Sequence, residues 1–443
     1  MTRGTVCLIL LCALNAAAQG PDSIHAGGAD PHLPQPESKA DALSGGSQFT
    51  TQDSLLVKQR KFWTPGVPLD LEKYTRYKGN YFSIRLAICA IADYNAFFQD
   101  ADSRKQVGYQ RDQWDDRSVR FMLAGDIGPK SYKVHYFASY SFNGFDAPEN
   151  KKKSWDFADL SLTLPAWKLG AFTVGKTKEA FTYEMVGDAA FLPSLERVLN
   201  PFFTSRNVGV TLSNTVFDKR MTLSSGWAND WWVTNQKFDG SSNHYFSRIT
   251  GLVSTNEDGS RYLHAGVSGR YTGAVNGAVQ LKGKAESNVS SNYVDTGKIA
   301  AANQKELALE TLWTRDGYSV LAEYTRSWVN AAGSANPSFY GFYVTGSWMV
   351  TGEHRPYDRN VGFARRPIPE HLMGAVELMA RYAHLDLDDK SVHGGVMDRG
   401  TLGVNWFLNR YVKIGVDGAI VNLDRSNVNG LTHIIQTRLQ FIH

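Results

Sequence analysis

From Phe82 to Phe98 every even-numbered position is apolar or aromatic, while Ser83, Arg85, Cys89, Asp93 and Asn95 fall on odd positions between them. A period of two places alternate side chains on opposite faces of an extended strand. Strands of soluble sandwiches typically end after about five or six residues, whereas a strand that crosses a bilayer needs about 9–11. The alternation recurs downstream. Tyr132, Val134, Tyr136, Ala138, Tyr140 and Phe142 share one face, opposite Lys133, His135, Ser139 and Ser141. The pattern predicts an all-β fold, a transmembrane antiparallel β-barrel.

Short turns and long loops alternate along the chain. The second strand, near 117–125, meets the third, near 132–142, through a turn at 126–130. Further short turns are read at 165–167, 214–220, 255–261, 316–317 and 409–410. Asp316-Gly317 is the strongest of these, because both residue types tolerate the positive φ of a tight hairpin. Reading 277–303 as one long external loop yields 16 strands and keeps both ends of the barrel on the periplasmic side. Splitting it would add a seventeenth strand and break the even count of such barrels. Sixteen is therefore expected.

Composition narrows the class. Residues 1–18 read as a secretory signal, with Arg3 at its positive end, an apolar run over 6–14 and Ala16-Ala17-Ala18 before the cut; that run is far shorter than the roughly 20 residues of a membrane helix. Residues 19–79, rich at first in Gly, Pro, Ser and Asp, read as a periplasmic tail and transition segment, and 80–443 as the barrel domain. Cys7 and Cys12 lie in the leader, so Cys89 is left alone and a disulfide-stapled scaffold is excluded. No later segment has the 18 or so consecutive apolar residues of a membrane helix. The mean hydropathy of −0.32 agrees with a barrel, since half of each strand faces water. The net charge of +4 drops by one without Arg3, and the basic residues are dispersed, so no nucleic-acid partner is expected. Aromatic residues make up 12% of the chain, enough to supply two interfacial girdles.

Strand parity places Arg85, Arg120, Lys133, Arg248, Arg381, Lys413 and Arg438 on the lumen side, together with Glu306, Glu310, Glu323, Glu377 and Asp417. The third external loop, 176–206, is apolar for an exposed segment, with Phe181, Phe191, Leu192, Leu199, Phe202 and Phe203. A long loop of that composition is expected to fold inward and narrow the pore.

Five segments in order carry a resemblance: VGKTKEAF at 174–181, SRNVGV at 205–210, GFYVTGSWMVTGEHRPY at 341–357, ELMARYAHLDL at 377–387 and TLGVNWFLN at 401–409. Over most of residues 80–443 the chain resembles the phosphate-selective porin O and P family of bacterial outer membranes. The resemblance implies a homotrimer of 16-stranded barrels in contact with outer-membrane lipid and lipopolysaccharide. It also implies passive diffusion of small anions, phosphate or polyphosphate, through a basic constriction at the third loop, with no cofactor. Lys178 matches the family's lysine motif, although Ala180 stands where Pro is usual. The family's arginine ladder and full lysine cluster are not matched, and the chain ends Phe441-Ile442-His443 rather than on an aromatic residue.

For an oxyanion, Lys offers a point charge and Arg a bidentate fork. Lys176, Lys178, Arg197, Arg206, Arg85, Arg120 and Lys133 are thus the candidate anion path, and the alternative for each is a solvated or wall-paired charge. A non-selective or sugar-type pore is the nearest alternative, and a phospholipase-like or plugged structural barrel is more remote. Residues 170–177 match G-x-x-x-x-G-K-T in letters only, because strand-like residues fill the middle. Lys151-Lys152-Lys153 reads as a solvated external loop, and Asp386, Asp388 and Asp389 as exposed carboxylates rather than a cation site. Trp231-Trp232 reads as a loop-packing pair. No G-x-S-x-G, H-E-x-x-H or paired-Cys motif occurs, and nothing marks His264, Ser268 or His384 as catalytic, so no enzyme is expected.

Overall fold

Hydrocarbon offers a backbone neither donors nor acceptors, so a sheet in a bilayer must have no edge. The computed structural model describes residues 75–142, 154–204, 206–333, 335–371 and 373–443. Residues 1–74, where a secretory signal and a periplasmic tail are expected, and the Lys151-Lys152-Lys153 run lie outside the described residues. Sixteen long antiparallel strands form the wall. They are β1 (Ser83–Gln99), β2 (Gln113–Ile127), β3 (Val134–Phe142), β4 (Trp155–Pro165), β5 (Ala171–Lys178), β6 (Arg206–Val216), β7 (Met221–Asn229) and β8 (Asn243–Thr255). They continue with β9 (Arg261–Gly273), β10 (Ile299–Arg315), β11 (Tyr318–Ala331), β12 (Ser338–Met349), β13 (Ala375–Asp389), β14 (Val392–Phe407), β15 (Val412–Arg425) and β16 (Val428–Ile442). Each strand pairs with its neighbour in sequence, and β16 returns to β1 with Cys89 opposite Ile442 and Gln99 opposite Thr432. The ladder closes.

The seam extends to the last residue, where the Ile88 and His443 backbones exchange hydrogen bonds of 2.9 and 3.3 Å. Phe441 shares the outward face with Leu439, Thr437 and Ile435, so a terminal His does not disturb the pairing. The barrel also recruits residues before its expected start, since a short strand, Arg76–Lys78, pairs with the first residues of β1.

The loop between β9 and β10 contains a small hairpin, Lys282–Lys284 against Asn292–Asp295, and the wall resumes at Ile299, which keeps the count at 16. β2 is longer than its alternation suggests. A register shift between Ile91 and Asp93 breaks the phase, and Asp115 and Arg117 are both buried beyond it. Such a bulge re-aims side chains that a strict period of two would misplace. The connections at the periplasmic end are short except one. Residues 350–374, between β12 and β13, turn back into the barrel, against the expectation of short periplasmic turns.

The outward face is apolar, with Leu86, Phe121, Leu162, Val267, Leu402 and Ile435 exposed along it. Near its two rims stand aromatic pairs such as Tyr94 with Trp114, and Tyr318 stacked on Trp348 at 5.7 Å. Val416 lies mid-strand on this face and Asn422 near its external rim. Val416→Arg is expected to lower refolding stability by about 2–4 kcal/mol, and Asn422→Arg by about 0–1 kcal/mol. Urea titration in lipid vesicles reads both, and equal costs would contradict the membrane placement.

Candidate functional site: the lumen and its open wall

Loop 3, from Glu179 to the start of β6, enters the barrel. Phe181, Met185, Leu192, Leu195, Val198 and Phe202 are each no more than 2% exposed, and they pack against the inner wall. Apolar burial alone cannot seat this loop, because the wall it meets is charged. Glu323 on β11 accepts the backbone N–H groups of Tyr183 and Glu184, the latter at 3.1 Å. Asp417 on β15 accepts the N–H of Leu195 at 3.2 Å, and Asn405 on β14 donates to the Pro193 carbonyl at 2.6 Å. Arg355 and Arg270 donate to the carbonyls of Phe191 and Phe202, each at 2.7 Å. The wall thus supplies the hydrogen bonds that an irregular loop lacks internally.

The loop's own charges pair with the wall. Glu196 accepts from Arg117 at 3.0 Å and from Arg438 at 2.7 Å, and Arg438 also binds Asp93 at 2.6 Å. Glu184 binds Arg381 at 2.8 Å, and Asp188 binds Arg120 at 3.2 Å. On the wall, Arg270 pairs with Glu306 and Arg248 with Glu310, and wall residue Glu377 pairs with Arg355 of the 350–374 segment. A buried charge left unpaired is strongly unfavourable, so these arginines act first as struts.

Two further segments fill the lumen. The β9–β10 loop covers the external end of β13–β16, where the Ala285 carbonyl accepts from Arg399 and Tyr293 bonds Thr432 at 3.1 Å. From the periplasmic end, the 350–374 segment brings Phe363 against Tyr183, with ring centroids 4.5 Å apart. Gly187 in loop 3 has no room for a Cβ, because the Phe363 ring occupies that place. Loop 3 and the periplasmic segment therefore meet inside the barrel.

An open stretch lies along one wall. The inward positions of β4–β7 include Ser161, Thr173, Gly175, Gly209, Thr211 and Ser224. An open space runs along Ser161, Thr173, Thr211 and Ser224, between Lys178 at the end of β5 with Glu179 and Ala180 of loop 3 on one side and Asn360 and Val361 of the periplasmic segment on the other. Lys178 overlooks it and donates to the carbonyls of Gly187 at 2.6 Å and Val186 at 3.4 Å. Among the described residues no carboxylate comes within ion-pair distance of Lys178.

Four sequence candidates converge at this elbow. Arg197 donates to the same Gly187 carbonyl at 3.1 Å, Arg120 binds Asp188, and Arg206 binds Asp159 at 2.8 Å. Lys178 thus stands among Arg206, Arg197, Asp188 and Asp159. The other three lie elsewhere. Lys176 sits opposite Leu160 in register, on the outward face, where it donates to the Phe157 carbonyl at 2.6 Å and lies under the Trp232 ring. Lys133 is half-buried in the turn before β3, and Arg85 lies toward the periplasmic end of β1, opposite Ala124. Parity reading did not select Arg117, Arg270, Arg399 or Asp159. Arg355 lies in the inward periplasmic segment, which no periodicity marks.

The sequence comparison agrees with this architecture. The profile of the phosphate-selective porin O and P family matches residues 90–442. The chain belongs to that family. It is therefore an outer-membrane porin, and the solved structures it resembles share its fold. Against the anion-selective porin of Comamonas acidovorans the TM-score is 0.54 at 12% identity, covering 82% of this chain and 100% of that one. Against the outer-membrane channel DcaP of Acinetobacter baumannii it is 0.54 at 11%, covering 83% and 99%. Against OmpT of Vibrio cholerae it is 0.53 at 9%, covering 83% and 99%. An uncharacterized protein of Caulobacter vibrioides is 26% identical over 121 residues, which are 26% of this porin and 24% of that relative. The match thus spans only about a quarter of the relative's length.

In loop 3, burial pushes the Glu196 carboxyl up, but Arg117 and Arg438 outweigh it and hold its pKa at about 2. A depressed carboxylate contributes stability fully above its ordinary pKa of about 4.3, and loses it as pH falls through the folded value. The pin should therefore hold from neutral pH to near pH 4 and fail as pH approaches 2. Glu196→Gln removes the carboxylate that Arg117 shares with Arg438 and leaves Arg438 to Asp93, and should cost about 3–5 kcal/mol. Single-channel recording is expected to show loop-derived current noise in Glu196→Gln at neutral pH. Wild-type protein should show it only in strong acid.

Proposed function

We propose that this porin passes small anions, phosphate-like ones included, along the β4–β7 wall, with a modest preference over cations. The observation that supports this is Lys178 at the loop 3 elbow, paired with carbonyl oxygens rather than with a carboxylate, while the neighbouring arginines hold acids. At the elbow Lys178, Arg197, Arg206 and Arg120 face Asp188 and Asp159, so the local balance favours anions. A cation in a narrow, low-dielectric passage attracts anions, but a single one binds weakly enough to release them. Extensive arginine–carboxylate pairing argues for a leaky preference rather than tight phosphate binding. The pore is read as passive, without catalysis, cofactor or metal. A homotrimer surrounded by outer-membrane lipid and lipopolysaccharide belongs to the same reading, and an SDS-resistant, heat-modifiable oligomer would support it.

The test is the zero-current potential of the refolded protein in a planar bilayer under a KCl gradient, with phosphate then added. Anion preference with partial block of the chloride current by phosphate is expected. Lys178→Ala should reduce both. A potential of cationic sign in the wild type overturns the reading, and a potential near zero leaves a general diffusion pore.

A further inference from the structure

The open wall is chemically distinctive: it is paved with hydroxyl groups. In register, Thr163 lies opposite Thr173, and Thr173 opposite Thr211, on the inward face of three successive strands. One step toward the periplasm, Ser213 lies opposite Ser224. The pairs touch. Thr163 and Thr173 hydroxyls are 2.9 Å apart, and those of Ser213 and Ser224 are 3.0 Å apart. In a hydroxyl pair one group donates to the other, so the accepting group keeps its own hydrogen for a third partner, and both retain acceptor lone pairs. Thr211 and Ser224 are only half-buried and border the open space with Ser161 and Thr173.

Such a surface offers donors and acceptors in similar number. A halide or a fully deprotonated oxyanion can use only the donors. A solute bearing hydroxyls of its own can use both, and each buried polar group that goes unmatched carries a desolvation penalty. Above this wall stands the Lys178 ammonium. We infer that the passage favours small hydroxylated anions, the class of hydroxy-carboxylates and polyol phosphates, over unhydroxylated anions of equal charge and size. The inference rests on the anion-passing reading and adds the hydroxyl wall as its specificity determinant. The cation draws the charged end of the solute, and the hydroxyl pairs replace the water shed from the rest of it.

Glycerate and propionate separate the contributions, because they share a three-carbon carboxylate skeleton and differ in hydroxyl groups. Bi-ionic potentials of the full porin in a planar bilayer, with potassium glycerate against potassium propionate at neutral pH, report their permeability ratio. Glycerate is expected to be favoured by roughly threefold to tenfold, the effect of about one net hydrogen bond. Replacing hydroxyls by near-isosteres in Thr173→Val, Thr211→Val, Ser213→Ala and Ser224→Ala together should bring the ratio toward one. A wild-type ratio near one overturns the inference even if the combined variant fails to fold. A ratio unchanged in the folded variant overturns it as well. The KCl potential of the same wild-type preparation keeps the two readings apart. Anion preference with a glycerate ratio near one removes only the hydroxyl inference, whereas cation preference removes the anion reading beneath it.

Discussion

No hydrocarbon atom can accept a hydrogen bond, and the rest of the molecule follows from that. The sheet must close, and closing sixteen strands leaves an interior too wide for wall side chains alone to fill. Every second residue then faces this space, and many of those residues are charged. Three segments enter to occupy it, and their exposed backbone groups find partners in the wall. Glu323 and Asp417 accept loop N–H groups while Arg270 and Arg438 reach loop carbonyls. The acids and bases on the two surfaces neutralise each other, which is why a lumen rich in arginine is not a strongly basic pore.

The passage arises from the unequal sizes of the inward residues. On β9–β16 the wall presents Arg270, Glu306, Tyr343, Arg381, Arg399 and Arg438, which are long enough to grip the inward segments. Along the open stretch of β4–β7 it presents Ser161, Thr173, Gly175, Thr211 and Ser224, which cannot reach across. The inward segments are anchored to the side that holds them and stand off from the side that does not. Long and short inward side chains thus decide where the filling sits and where space is left beside it.

Much of the wall was legible from alternation, because a lipid-facing row must be apolar at every second position. Phe82 to Phe98 declared β1, and Asp316-Gly317 declared the hairpin between β10 and β11. The bulge beside Asp93 was not legible, since a period of two carries no sign of a slipped phase; Arg117 and Asp115 were lost with it. Lys176 shows the opposite failure. It belongs to a loop-end cluster in sequence but follows the strand to the outward face. The inward fold of 350–374 leaves no periodic trace, because much of what holds it is contact with Tyr183 and Arg248, both distant in the chain. Small residues repeating at every second position of β4–β7 were a signal for the open wall, visible only once sizes rather than polarities are compared.

The contact of Gly187 with Phe363 joins a segment that enters from outside the cell to one that enters from the periplasm. The same contact also gives the periplasm a mechanical hold on the external loop. A ligand or a substitution that shifts Phe363 would move the elbow carrying Lys178, and the pore could be tuned from the side of the membrane opposite to the loop that narrows it.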